Sequence, residues 1–456
     1  MFPGLRRLAL HRDDTRSVLR IASPIVLGTL SFTLLNVVDT IFVGRLGTES
    51  LAAAGVAGVL FFAIAFPLSS ISVGVQTLTS RRFGERRYDQ CGQPVRVGLL
   101  LAALVGVPVI LLAPQLSRGL APILSNDTVV IDLGKTYLQF RFHGTVFLMM
   151  NAVFGAFFAA LGDTKHQMAA SFLVTVSNIV LDTVLIFGYC GFPALGVKGA
   201  AIASTIALAL GTTYYVATAL TPRYRIRYAL LSSRYPIRRW APSIVRLSLP
   251  IVVQRFVSHA TWFGFFSAVA RIGTTELAAT NAMRSIYHLS IMLAVGFGTA
   301  AAALVGQNLG AADPARAERL AWGAVKLAAY SMGLIGLVFA AMPTVVMHLY
   351  TSDPSVIAAA RLPLTLLGFV QALAGVALVL SNALQGAGNT RFVMGVEITV
   401  CGLLYIPIVL FFGLGWPIGC RFGLLGAWTA EYVYWTVLAA LMVWKFRRGK
   451  WKQIVV

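Results

Sequence analysis

Leu35-Asn36-Val37-Val38-Asp39-Thr40-Ile41-Phe42-Val43-Gly44-Arg45-Leu46-Gly47 closes a long apolar run that begins near Ser17, and it places a carboxylate before that run has ended. A helix over this run is long enough to cross a hydrocarbon core of roughly 30 Å. A charged side chain inside such a span costs roughly 2.5–3.5 kcal/mol on insertion scales, so it is normally paired or put to use. The plainer alternative is an Asp39 hydrated at the outer end of its helix.

The rest of the chain repeats that pattern of long apolar runs. Its 456 residues are 58% hydrophobic and 12% charged, with a mean hydropathy of +0.79. That much apolar surface cannot be hidden in a water-soluble core, which makes the chain an all-α polytopic membrane protein. No cleavable signal peptide is evident, and the first helix is expected to act as its own insertion signal. The four cysteines (Cys91, Cys190, Cys401, Cys420) have no metal-ligand spacing, and no role is assigned to them.

Twelve transmembrane helices are expected, near 17–43, 49–78, 94–116, 134–160, 166–190, 196–220, 243–269, 276–304, 317–348, 356–385, 392–413 and 422–445. The formal charge of +21 could suggest nucleic acid, but 27 of the 37 Lys and Arg residues fall in alternate loops and at the termini, against seven in the opposite loops. The positive-inside rule then puts both termini in the cytoplasm of a cell whose inner membrane holds the chain, with no nucleic-acid partner.

The halves are copies. Gly44-Arg45-Leu46-Gly47-Thr48-Glu49-Ser50-Leu51-Ala52-Ala53 returns as Ala270-Arg271-Ile272-Gly273-Thr274-Thr275-Glu276-Leu277-Ala278-Ala279. The same spacing of 226 pairs Pro24 with Pro250, and Gly162-Asp163-Thr164-Lys165 with Gly388-Asn389-Thr390-Arg391. Near the ends the spacing becomes 227, matching Gly196, Gly199 and Ala200 to Gly423, Gly426 and Ala427. Such a fixed spacing marks a duplication. An even number of helices per copy gives two six-helix lobes related by a pseudo-twofold axis along the membrane normal, with a substrate cavity expected between them. The lobes are read as 1–220 and 243–456, joined by a basic cytoplasmic linker at 221–242. Pro24 and Pro250 are candidate hinges, with a static kink as the alternative.

The Asp39 stretch, the Gly162-Asp163-Thr164-Lys165 turn, its partner Gln385-Gly386-Ala387-Gly388-Asn389-Thr390-Arg391 and the Gly-x-x-Gly-Ala-Ala start of the sixth helix resemble the multidrug and toxic compound extrusion (MATE) family over nearly the whole chain. The resemblance implies secondary active efflux by alternating access: a small organic substrate, cationic or amphipathic, leaves as H⁺ or Na⁺ enters. It implies no cofactor beyond the coupling ion, a monomer, and membrane lipid as the surrounding partner. The family's cation site falls here on Asp39, on Asn178 and Asp182, and on Ser204, with Thr205 adjacent. If Na⁺ is the ion, Asp39, Asn178 and Asp182 would be its ligands.

The residues argue for the same set. Asn178 and Asp182 are four apart and share one helical face. Asp182 lies 16 residues beyond His166, roughly 24 Å along a helix and near the expected depth of Asp39. Two neighbouring carboxylates in low dielectric resist simultaneous ionisation, so the pair can hold a proton near neutral pH. The structural alternative is a polar cluster that fastens two helices together. At a spacing of 226, Asp39 maps to Phe265, Asn178 to Leu404 and Asp182 to Ile408, whereas Ser204 at 227 maps to Glu431. The second copy is therefore expected to lack the site. With no acidic residue in helices seven and ten, the DinF-like branch is expected over the NorM-like one.

Arg141, Arg255 and Arg284 fall inside expected spans. Arg284 and Glu431 lie at similar depth, so a salt bridge is expected; alternatively Arg255 or Arg284 faces the cavity. A lipid-linked precursor flippase of the same superfamily is the competing function. No nucleotide-binding loop, His-Glu-x-x-His or Gly-x-Ser-x-Gly motif points to an enzyme, and the two-lobe repeat disfavours a channel.

Overall fold

The computed structural model describes residues 12–123, 127–230, 236–416 and 422–456. Arg234 of the linker, Cys420, Arg421 and the residues before Arg12 lie outside this set. The described residues contain no strand. The long helices are α1 (Arg12–Gly44), α2 (Thr48–Gly84), α3 (Gly92–Leu111), α4 (the bent pair Thr128–Phe142 and Thr145–Leu161), α5 (Lys165–Phe187) and α6 (Gly196–Leu220). After the linker come α7 (Ile237–Ile272), α8 (Thr274–Gly310), α9 (Pro314–Ala341), α10 (Pro354–Gly386), α11 (Thr390–Leu414) and α12 (Gly423–Arg447).

Nine of these helices are long and apolar enough to cross a membrane, and α4 adds a tenth when its halves, bent by 44°, count as one span. The other two, α7 and α12, are 36 and 25 residues long. Their polar side chains, among them Gln254, Arg255 and His259 on α7 and Glu431 on α12, dilute an otherwise apolar run.

The chain forms two compact units: one holds residues up to Val26 together with Val253–Val456, the other Leu27–Val252. The boundaries thus fall inside α1 and α7, two residues past Pro24 and Pro250, rather than at the linker around 221–242. Packing explains this. Val18, Ile21, Ala22 and Ile25 of α1 belong to the core of the unit built from α8 to α12. In the other unit, Ser248 of α7 accepts a hydrogen bond from the Gly74 amide at 3.1 Å and donates one to the Ile71 carbonyl at 3.1 Å, filling the break in α2. The linker's first residues belong to this second unit: the Tyr228 carbonyl accepts the Gly92 amide at 2.9 Å.

The duplication is visible in backbone geometry. Glycines with positive φ recur in pairs: Gly162 and Gly388 (76° and 92°), Gly188 and Gly415 (78° and 72°), Gly196 and Gly423 (54° and 60°). Each ends or starts a helix where a side chain would be strained. The pairing also locates the change in spacing. It is 226 at Gly388 and 227 at Gly415, so one residue is added within α11. There the helix widens into π turns at Cys401–Tyr405 and Val409–Leu414, on either side of Pro407. A π turn is what a one-residue insertion makes of an α-helix. Burial sets the register within α11: Tyr405 and Val409, 227 residues beyond Asn178 and Asp182, are buried as those two are, whereas the expected partners Leu404 and Ile408, at 226, are half-exposed.

Candidate functional site

α1, α4, α5 and α6 bring the expected cation-site residues together in one unit. Asp39 stands five residues before the end of α1, and Asp182 five before the end of α5. Asn178, one turn earlier on α5, donates from Nδ2 to Asp182 Oδ2 at 3.0 Å. Ser204 on α6 donates to Asn178 Oδ1 at 3.4 Å. The neighbouring Thr205 is turned away, its hydroxyl donating to the Phe140 carbonyl at 3.1 Å. Of the two adjacent hydroxyls, Ser204 is the one that faces the amide. Close approach of the helices permits this. A Cβ on Gly199 of α6 would lie 2.5 Å from the Leu185 carbonyl oxygen of α5, a distance only glycine can occupy.

The two carboxyl groups are within hydrogen-bonding reach of each other. Asp182 is fully buried and Asp39 half-buried. Asp39 Oδ1 and Asp182 Oδ1 are both shut off from solvent and accept no hydrogen bond from any donor group. Two carboxylates facing one another leave such orphaned oxygens, whereas a single proton on the pair supplies the missing donor. The structure places Asp39, Asn178, Asp182 and Ser204 in one polar cluster.

Two further residues belong to this cluster. Arg141, on the first half of α4, is buried and within electrostatic reach of both aspartates. It hydrogen-bonds Tyr137 one turn earlier. Its guanidinium lies 4.6 Å from the Phe61 ring centroid and 5.8 Å from that of Phe62, both on α2. Nε and Nη1 have no partner. Arg141, Asn178 and Ser204 line one cleft with Phe32, Phe61 and Leu208, with room for about one water molecule. An arginine inside an apolar span was the sequence signal; its association with Asp39 was not legible, because nothing in the spacing relates α4 to α1.

The remaining expectations sort differently. Arg284 and Glu431 do not meet. Glu431 Oε1 accepts from the Tyr287 hydroxyl at 3.0 Å and from Trp435 Nε1 at 2.7 Å, while the Arg284 guanidinium lies 5.5 Å from the Phe266 ring centroid. Aromatic O–H and N–H groups satisfy one oxygen of the carboxylate, and a π face partners the cation. Arg255 is on α7, its carbonyl accepting from His259 Nδ1 at 2.7 Å. Pro24 and Pro250 lie inside α1 and α7, next to the unit boundaries. Sequence reading missed Glu397, buried on α11 and accepting from Ser258 Oγ at 2.9 Å and the Tyr434 hydroxyl at 2.5 Å.

The MatE family profile matches residues 24–184 and again residues 250–411. The multidrug resistance protein NorM of Burkholderia vietnamiensis is 28% identical over 455 residues, covering 96% of this chain and 94% of its own. The probable multidrug resistance protein NorM of Thermotoga maritima is 26% identical over 455 residues, covering 97% and 94%. Among solved structures, an outward-facing multidrug resistance MATE family transporter matches with a TM-score of 0.88 at 21% identity over the whole of both chains. A MOP superfamily transporter from Pyrococcus furiosus matches with 0.87 at 22%, again over both whole chains.

Proposed function

The chain belongs to the MatE family, and we propose that it is a secondary active exporter that expels small organic compounds, cationic or amphipathic, as H⁺ enters. Its relatives' names supply the multidrug substrate class; the observation that carries the coupling site is the buried Asp39–Asp182 contact with two orphaned carboxyl oxygens. The protein acts by alternating access in the cell (inner) membrane as a monomer surrounded by lipid, with both termini cytoplasmic and no cofactor beyond the ion. Pro24 and Pro250 are its hinges, each two residues from the boundary at which its helix passes from one unit to the other.

Arg141 favours H⁺ over Na⁺ as the coupling ion. A sodium ion held by Asp39, Asn178 and Asp182 would need further oxygen ligands and room for them beside a buried guanidinium that presents only N–H donors. A proton adds the same unit of charge but needs no coordination shell, because it becomes part of the carboxyl group, and the cluster's amide and hydroxyl are already bonded to its other members. Loss of that proton leaves Arg141 as the nearest compensating cation.

Purified protein in liposomes, given ethidium with separately imposed pH and Na⁺ gradients, tests this reading. A pH gradient is expected to drive transport, and Asp39→Asn or Asp182→Asn to abolish it with the protein still monodisperse. Transport that survives both substitutions would demote the cluster to a helix fastener. Transport driven by Na⁺ alone would reverse the choice of ion.

A further inference from the structure

The other unit contains its own buried carboxyl cluster, at the place where the duplication puts the first. Ser204 has Glu431 as its partner, Asn178 has Tyr405, and Asp39 has Phe265. In the first unit Ser204 reaches Asn178. In this one Glu431 and Tyr405 are within hydrogen-bonding reach of each other, and Phe265 packs on both Tyr405 and Trp428, with ring centroids 6.0 and 5.6 Å apart. The contact persists while its chemistry changes: the acid sits on α12 instead of α1 and α5.

Glu431 is 2% exposed. Oε1 already accepts from Tyr287 and Trp435, so the ionised form has support on one oxygen only. Oε2 and the Tyr405 hydroxyl are both buried, and neither meets a partner in ordinary geometry. The groups within electrostatic or hydrogen-bonding reach of Glu431 are Tyr287 from α8, Tyr405, Cys401 and Glu397 from α11, and Tyr432, Tyr434 and Trp435 from its own helix. Among the described residues no lysine, arginine or histidine forms an ion pair with Glu431 or Glu397. Glu397 is tied to the same ring system, because Tyr434, which donates to it, stacks edge-on against Tyr405 at 5.9 Å. The π turn at Cys401–Tyr405 ends on the tyrosine that faces Glu431, and π turns inside helices often mark functional positions.

We propose that Glu431 is a second proton-binding carboxyl, exchanging a proton independently of Asp39 and Asp182. A buried acid without a counter-cation next to a second buried acid is most cheaply neutralised by a proton. The proton, taken from water, sits on Oε2, and the resulting O–H donates to the Tyr405 oxygen, which satisfies both orphaned atoms at once. On release the proton returns to water, and the Tyr405 hydroxyl turns to donate to Oε2. Tyr405 is thus a positioning residue that can serve either state.

The experiment is infrared spectroscopy of the full-length protein carrying Asp39→Asn and Asp182→Asn, from about pH 5 to about pH 9, a range in which exposed carboxyls are ionised over all but its acid end. The C=O stretch of a buried protonated carboxyl is expected at the acid end, disappearing as pH rises. A pH-dependent part of that absorption should be lost after Glu431→Gln, which keeps the side chain's shape and leaves any Glu397 band in place, and displaced in frequency after Tyr405→Phe, which removes the hydrogen bond but not the ring. A band that is missing at every pH, that persists unchanged to the alkaline end, or whose intensity Glu431→Gln leaves unaltered overturns the proposal. If Glu431→Gln is not monodisperse, the Tyr405→Phe spectrum decides: an undisplaced band overturns the assignment. Because the first pair is already neutralised, the result does not depend on whether that pair couples transport.

Discussion

The two halves of the duplication keep the same scaffold and have exchanged their chemistry. At Gly199 and Gly426 the resemblance is closest. A Cβ on the first would lie 2.5 Å from the Leu185 carbonyl oxygen, and one on the second would press on that of Phe412, which is Leu185's repeat partner. The helix that carries the acid differs. In one half α5 is a regular helix with Asn178 and Asp182 on one face, and α1 brings Asp39 to them. In the other, α11 widens around Pro407, Val409 stands where Asp182 does, and the carboxyl comes from α12. Close backbone contact leaves no freedom to drift, so the glycines persist. A polar site needs only a group of suitable chemistry at a given place, and a neighbouring helix can supply it.

The largest expected effect separates the two α5-type positions. Asp182→Asn should reduce pH-driven ethidium transport in liposomes to the protein-free background. Val409→Thr, a polar change at the matching position, should leave it within about twofold, because a threonine hydroxyl in a helix can bond the carbonyl one turn back. A comparable loss in both variants would mean that α11 also contributes to ion coupling. The shared scaffold gives the next effect. Gly199→Ala and Gly426→Ala each push a methyl group into a backbone carbonyl and should destabilise the protein by about 1–3 kcal/mol, the usual cost of overpacking. Thermal unfolding in detergent would show it. A drop in only one variant would break the equivalence of the halves.

Much of this was legible in the sequence, for reasons that separate cleanly. Helix number and duplication follow from hydropathy and from glycines whose backbone conformations other residues avoid, such as Gly162 and Gly388. Asn178 and Asp182 were readable because four residues make one helical turn. The association of Arg141 with the aspartates was not, since it depends on how α4 bends against α2. Nor was the true partner of Asn178: a constant spacing of 226 points to Leu404, and only the π turn in α11 shifts the register to Tyr405. The Arg284–Glu431 salt bridge failed because depth along a helix says nothing about direction around it, and Glu431 turns toward Tyr287 and Trp435.

A moderate effect is expected at Arg141, a cation for which the second half has no counterpart beside Glu431. Arg141→Gln keeps a donor but removes the charge that stands near the aspartate pair. Wild-type transport should be indifferent to a Na⁺ gradient, whereas the variant should gain a Na⁺-driven component of roughly twofold over background, since the cluster's oxygens then face no competing cation. Equal indifference to Na⁺ in both proteins would show that something other than Arg141 excludes the ion.

The smallest effect concerns how each half is closed at its end. After α6, the chain turns through Pro222–Arg225 and buries Tyr224, whose hydroxyl donates to Asp163 Oδ2 at 2.5 Å, with Arg223 at 3.4 Å from the same oxygen. After α12, the repeat partner of Tyr224 is Trp451, fully buried, stacked on Phe446 at 4.5 Å and donating from Nε1 to the Phe446 carbonyl at 2.8 Å. One latch titrates and the other does not. Burial first, then the hydrogen bond to Asp163, hold the Tyr224 phenol protonated above its ordinary range. Because the folded state favours the neutral phenol, its contribution is present in full below the free tyrosine value of about 10 and is lost as pH rises through the higher folded value. Tyr224→Phe should therefore cost about 1 kcal/mol at neutral pH, the net worth of one hydrogen bond. The gap between wild type and variant should close only in strongly alkaline solution. Trp451→Phe should cost a similar amount at every pH, and a cost that varied with pH there would show that the second latch depends on a titrating neighbour after all.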